Sequence, residues 1–301
     1  MSEKLQAHLA LFAVALIYGA NYVIAKGLMP EPIPPRAFIL IRVCGALALF
    51  GLIRLRMREK VERKDFGRLI LCGLTGVAVN QIMFFEGLNL TSPVNAAIIM
   101  TSNPILVMLL AGILLKNRIT KKKMLGVLSG AIGAITLIYL SSTSGGQSSW
   151  IGDTFVLVNA TSYAIYLVLV KPLMSKYKPI TVITWIFLFG LVFVLPLGIV
   201  PFSAIDWANV TTEAWWKISF VVVATTFMAY LLNIFALKRV QPTVASSYIY
   251  LQPVVVTIFS WLLSAPGSSS LLEPKRLGCT LLIFLGVWLV SSNSQKLIAK
   301  N

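Results

Sequence analysis

The sequence predicts an all-α membrane protein of ten transmembrane helices, arranged as two inverted five-helix repeats. Three observations predict it. Of 301 residues, 57% are hydrophobic and only 12% are charged, a composition outside the range of water-soluble domains. Ten apolar runs approach the about 20 residues needed to cross roughly 30 Å of hydrocarbon. The chain also matches itself: YGANYVIAKGLM (18–29) aligns without gaps to YAIYLVLVKPLM (163–174), and EGLNLTSPVNAAIIMTSNP (86–104) aligns to FALKRVQPTVASSYIYLQP (235–253).

The ten runs fall near 7–27, 36–53, 69–87, 94–115, 124–141, 151–170, 180–200, 218–237, 243–264 and 277–293. Ala13 and Ala15 give the first run the small-x-small spacing of a cleavable leader. The repeat assigns it to the fold instead, as the counterpart of run six, through Tyr18/Tyr163, Val23/Val168, Lys26/Lys171, Leu28/Leu173 and Met29/Met174. In runs four and nine the repeat pairs Pro93 with Pro242, Asn103 with Gln252 and Pro104 with Pro253. Pro93 and Pro242 stand at helix entrances. Pro104 and Pro253 fall mid-span, where a missing backbone N–H kinks a helix, and are expected to be paired hinges. The two offsets, 145 and 149, describe one duplication into units 1–145 and 146–301. A unit of five spans must enter the membrane from the opposite face the second time, the inverted-topology plan of many secondary transporters.

The net charge of +16 raises the question of nucleic acid, which the distribution answers. RLRMREKVERKDFGR carries seven basic residues and KNRITKKK five, on loops of the same side as KPLMSKYK and both termini. The positive-inside rule then puts both termini in the cytoplasm, with the basic loops against anionic lipid headgroups. No aromatic residues interleave with them in the manner of a nucleic-acid site.

Enzymatic constellations are missing. His8 is the sole histidine, so no paired-histidine metal site and no Ser-His arrangement can form. Cys44, Cys72 and Cys279 lie in spans without CxxC spacing and read as small core residues. No GxxxxGK[ST] loop is present for ATP, and no cofactor motif is seen. The reading is of a non-enzyme.

The ten spans, the YGANY opening, PRAFILIR at the start of span two, the doubled proline motif and the closing LGCTLLIFLGVWLV together resemble the EamA family of the drug/metabolite transporter superfamily, over nearly the whole chain. The chain departs from it after spans four and nine, where family members often carry an acid and this one has Lys116 and APGSSSLLEPK. The resemblance implies export of a small organic solute across the cytoplasmic membrane of a prokaryote.

Helical periodicity supplies the site. Tyr18, Asn21, Tyr22 and Ala25 form one stripe of span one; Asn159, Tyr163, Tyr166 and Val170 form a similar stripe of span six. Span three contributes Val77, Gln81 and Phe84, and span eight Thr226, Tyr230 and Asn233. Buried amides without partners cost several kcal/mol in hydrocarbon, so these faces turn inward, as a wet cavity or as interhelical bonds. Tyr18, Asn21, Gln81, Asn103, Tyr163, Tyr166, Tyr230, Asn233 and Gln252 are therefore the expected solute ligands. Phenols and amides without fixed charge suit a neutral or zwitterionic, amino-acid-like solute; phosphorylated or drug-like solutes and a passive channel are the alternatives. Glu86 and Arg42 are the intramembrane charges, either coupling groups or a locking ion pair, and Arg42 is expected toward the membrane face. Lys26 and Lys171 are expected to snorkel.

Overall fold

A computed structural model describes residues 3–57, 59–114, 149–240 and 242–263, with short helical pieces between 124 and 136 and between 277 and 285. All regular structure among the described residues is helical. The first unit contains α1 (Glu3–Lys26), α2 (Pro35–Arg54), α3 (Phe66–Gly73), a π-turn (Leu74–Ala78), α4 (Val79–Leu90), α5 (Pro93–Met100) and α6 (Asn103–Leu114). The second contains α7 (Trp150–Lys176), α8 (Pro179–Ser203), α9 (Thr212–Phe220), a second π-turn (Val221–Met228), α10 (Ala229–Arg239), α11 (Pro242–Ser247), a 3₁₀ turn (Tyr248–Leu251) and α12 (Gln252–Leu262). Counted as continuous spans, eight segments of the described residues are long and apolar enough to cross a membrane. Expected spans five (124–141) and ten (277–293) lie outside the described residues apart from the short pieces.

Local chemistry sets the helix starts. Ser92 accepts a hydrogen bond from the Asn95 backbone N–H at 3.1 Å, with Pro93 in the first turn, where its missing N–H costs nothing. Ser149 and Thr211 cap α7 and α9 in the same way, accepting from the N–H groups of Ile151 and Ala214.

Spans four and nine are each interrupted by a short turn of helical sense just before the expected proline. α5 ends in a turn at Thr101 and Ser102, and Pro104 is the second residue of α6. Pro253 is likewise the second residue of α12, after the 3₁₀ turn. In a first helical turn the backbone N–H has no intrahelical acceptor, so proline is tolerated there rather than bending a helix that runs through it.

The packing exchanges partners between the units. α1 packs on α10 and α12, while its counterpart α7 packs on α4; α2 and α8, counterparts of each other, pack together. At the α4–α7 crossing, a methyl group added to Gly87 would lie 2.8 Å from the Gly152 carbonyl oxygen, and one on Gly152 would lie 2.9 Å from the Gly87 carbonyl oxygen. Only glycine permits that approach. Cys72 is buried as expected, whereas Cys44 is exposed on the outside of α2.

Candidate functional site

The two π-turns are themselves repeat-related, since Leu74–Ala78 moved by 149 positions falls within Val221–Met228. A π-turn adds a residue to the helical turn and re-aims the side chains beyond it, and such turns occur often at functional sites. Beyond the first one, Asn80, Gln81, Phe84 and Phe85 line a cavity between the helices. Beyond the second, Tyr230 faces the same space.

The wall draws on both units. α1 gives Tyr18, Asn21 and Tyr22, and α7 gives Asn159 and Tyr163. The helix breaks give Met100 and Ile249, which are also repeat counterparts. Gln252, at the start of α12, completes it and accepts a hydrogen bond from the Tyr22 hydroxyl at 3.0 Å. Of the expected ligands, Tyr18, Asn21, Gln81, Tyr163, Tyr230 and Gln252 therefore share one cavity. A smaller cleft lined by Asn233 and Tyr248 shares Tyr18, Tyr163, Ile249 and Gln252 with it. Asn233 there donates to the Tyr163 hydroxyl.

Two expected ligands are placed elsewhere. Asn103 is fully buried and donates to the Ala160 carbonyl at 2.6 Å, bonding α6 to α7. Tyr166 is fully buried as well, its ring seated where Gly76 leaves room, 5.8 Å from the Tyr163 ring. Tyr166 shares a helix face with Tyr163, but the slot left by Gly76 takes its ring out of the cavity wall. Asn159, four residues before Tyr163, faces the cavity and donates to the Asn80 carbonyl at 2.7 Å.

The charges also differ from expectation. Glu86 does not pair with Arg42; it pairs with Arg36 at 2.7 Å, and neither of those side chains lines the cavity. Arg42 stands six residues, about 9 Å, further along α2. There it is buried, lines the cavity, donates from Nε to the Thr226 hydroxyl at 2.9 Å and lies over the Phe85 ring. Counting residues from a span end gives depth but no direction, so the sequence does not show Arg42 at the cavity. Lys26 and Lys171 do not simply snorkel. Lys26 donates to the carbonyls of Leu88 and Asn89 at the end of α4, and Lys171 to those of Leu237 and Val240 at the end of α10. Asp153, at the edge of its span in sequence, is fully buried and accepts hydrogen bonds from Thr91 and Asn95.

The cavity's donors and acceptors are uneven. Tyr230 donates to the Gly76 carbonyl at 2.9 Å, and Gln81 reaches the Tyr230 oxygen at 3.4 Å. Among the described residues, Asn21 Oδ1, Gln81 Oε1, Asn159 Oδ1 and Thr225 Oγ1 are buried without a hydrogen-bond partner, and all four residues line the cavity. A buried acceptor left unpaired costs free energy, which a donor-bearing solute entering the cavity recovers if it reaches that atom.

The fold and the sequence have counterparts among known proteins. A solved crystal structure of 16% sequence identity superimposes with a TM-score of 0.65, covering 97% of this chain and 98% of its own, which shows a shared fold. The "Uncharacterized transporter YyaM" of Bacillus subtilis (strain 168) is 26% identical over 268 residues, 88% of each chain. The "Probable terminal-alkyne amino-acid exporter" of Streptantibioticus cattleyicolor is 24% identical over 211 residues, 69% of each chain. The profile of the EamA-like transporter family matches residues 5–139 and 150–292. With that match over most of its length, and with apolar helices able to cross a membrane many times, the chain belongs to the EamA-like transporter family.

Proposed function

We propose that this membrane transporter is a secondary active exporter of a small neutral or zwitterionic, amino-acid-like metabolite. It works by alternating access of the cavity, using ten helices built as two inverted five-helix units, 1–145 and 146–301. The observation that carries this reading is the cavity itself, lined from both units by phenols and amides, several of them repeat counterparts: Tyr18 with Tyr163, and Gln81 with Tyr230. A site shared by two related units can open to either face as the units rock against each other. The name of the Streptantibioticus relative is consistent with the solute class.

The basic loops support a cytoplasmic-membrane location with both termini inside and lipid headgroups as neighbours. Tyr18, Asn21, Gln81, Tyr163, Tyr230 and Gln252 contact the solute; Asn233 positions Tyr163, and Asn103 and Tyr166 support the wall. The test is a metabolite-efflux comparison of cells with and without the protein. The expected result is faster appearance of one or a few amino-acid-like solutes in the medium. Accumulation of phosphate esters alone would contradict the reading.

A further inference from the structure

Arg42 gives the cavity a fixed charge that a merely neutral pocket does not need. The side chain is 3% exposed and held in place on two sides. Its Nε donates to Thr226, whose hydroxyl donates in turn to the Val221 carbonyl at 2.7 Å inside the second π-turn. Its guanidinium lies 4.3 Å from the centroid of the Phe85 ring. These contacts use one of the five N–H donors of the group, and among the described residues no carboxylate pairs with it. Glu86, on the helix that carries Phe85, is taken by Arg36. A buried cation without a counter-ion is costly, and the repeat offers no structural reason for it: positions 187 to 191, the counterparts of 42 at offsets of 145 to 149, are FLFGL.

The same cavity holds the complementary group. The orphan oxygens of Asn21, Gln81, Asn159 and Thr225 accept hydrogen bonds and find no donor, while Phe84, Met100 and Ile249 supply apolar wall. We propose that the Arg42 fork receives the carboxylate of the transported solute through paired N–H donors, that the orphan oxygens receive its ammonium group, and that the apolar wall takes its side chain. The ligand class is then an α-amino acid with an apolar side chain. This rests on the amino-acid-like reading above and narrows it from neutral or zwitterionic to carboxylate-bearing. Bidentate recognition of a carboxylate is what a preorganised guanidinium does best, and a lysine ammonium cannot reproduce it.

The experiment is calorimetric binding to the purified full-length protein, with L-leucine, L-methionine and L-phenylalanine and the amide of each as probes. The amides keep the ammonium group and side chain but lack the carboxylate. The parent protein should bind at least one of the acids about a hundredfold more tightly than its amide, the loss expected for a buried charge-assisted pair. Arg42→Gln should bring acid and amide together, and Arg42→Lys should recover only part of the difference. Equal binding of acid and amide by the parent overturns the Arg42 assignment and leaves the amino-acid reading standing; a preserved preference in Arg42→Gln does the same. Failure of the parent to bind any acid overturns the amino-acid reading, and the assignment falls with it. The parent's comparison of acid with amide decides the question even if Arg42→Gln does not fold.

Discussion

Tyr163 and Asn21 face each other's repeat unit across the cavity but differ in how they are held. The Tyr163 oxygen is occupied by Asn233, whereas Asn21 Oδ1 has no partner among the described residues. Losing one buried hydrogen bond to a solute costs about 1–3 kcal/mol, roughly ten- to a hundredfold in affinity. Tyr163→Phe and Asn21→Ala are each expected to raise the half-saturation concentration for the exported solute by about that factor, measured in a transport assay. Unchanged values in both would remove these residues from the site. Glu86 tests coupling. Its pair with Arg36 ties α4 to the start of α2. If protons drive transport through this acid, Glu86→Gln abolishes the pH dependence of uphill transport and spares exchange; full pH-driven accumulation by the variant would show that the acid is not the coupling group. At this scale the sequence disclosed residue types better than directions. Tyr18, Asn21 and Tyr22 line the cavity as the stripe of span one predicts. Tyr166 and Arg42 depart from expectation, because whether a side chain meets a cavity or a neighbouring helix depends on that neighbour: Gly76 opens a slot for one ring, and Thr226 draws in the guanidinium.

Among the elements, the broken helices answer why the proline motif is built twice. Each break puts one apolar residue, Met100 or Ile249, into the cavity wall and starts a new helix at a proline. Each unit also has a lysine, Lys26 or Lys171, that ties the end of its first helix to the carbonyls ending the helix before the proline motif. Those carbonyls have no intrahelical partner, so the lysines satisfy groups that would otherwise be orphaned. If the cavity opens alternately to each face, the junctions of α5 with α6 and of α11 with α12 are the expected hinges. Pro104→Ala and Pro253→Ala are expected to leave a folded, monodisperse protein that transports severalfold more slowly, because a residue with an N–H lets the helix close across the break. Parent-like initial rates in both variants would sink the hinge. The positions of these prolines were legible in the sequence; the π-turns were not, since an extra residue per turn leaves no compositional mark.

On the scale of the whole molecule, the two units are tied at the surface as well as around the cavity. Lys176 pairs with Glu62 at 2.7 Å and with Asp65 at 2.6 Å, and the Tyr177 hydroxyl donates to Asp65, joining the loop before α3 to the end of α7. Lys176 chiefly, with Lys64, holds the Glu62 carboxyl below its usual range. A depressed folded-state pKa contributes stability that is present above the unfolded value, about 4.3, and lost as pH falls through the folded value. Melting temperature is therefore expected to hold from pH 7 to about 4.3 and to drop below it, with a smaller drop in Glu62→Gln. The effect is modest because the pair is exposed, and an identical acid-side drop in the variant would contradict it.

The class of the molecule was the most legible feature, since composition and the self-match alone predict a polytopic membrane protein of repeated units. Its partner exchange, α1 on α10 and α7 on α4, was hidden because it depends on close approaches such as Gly87 against Gly152. The central claim is that amino-acid-like solutes pass through the cavity these units share. Counterflow in proteoliposomes tests it most directly, comparing the parent with Asn21→Trp, whose ring would fill the space beside Gln81 and Tyr163. The account predicts that the parent exchanges at least one labelled amino acid and that the filled variant, inserted equally well, does not. Exchange of no amino acid by the parent, or equal exchange by both proteins, would contradict it.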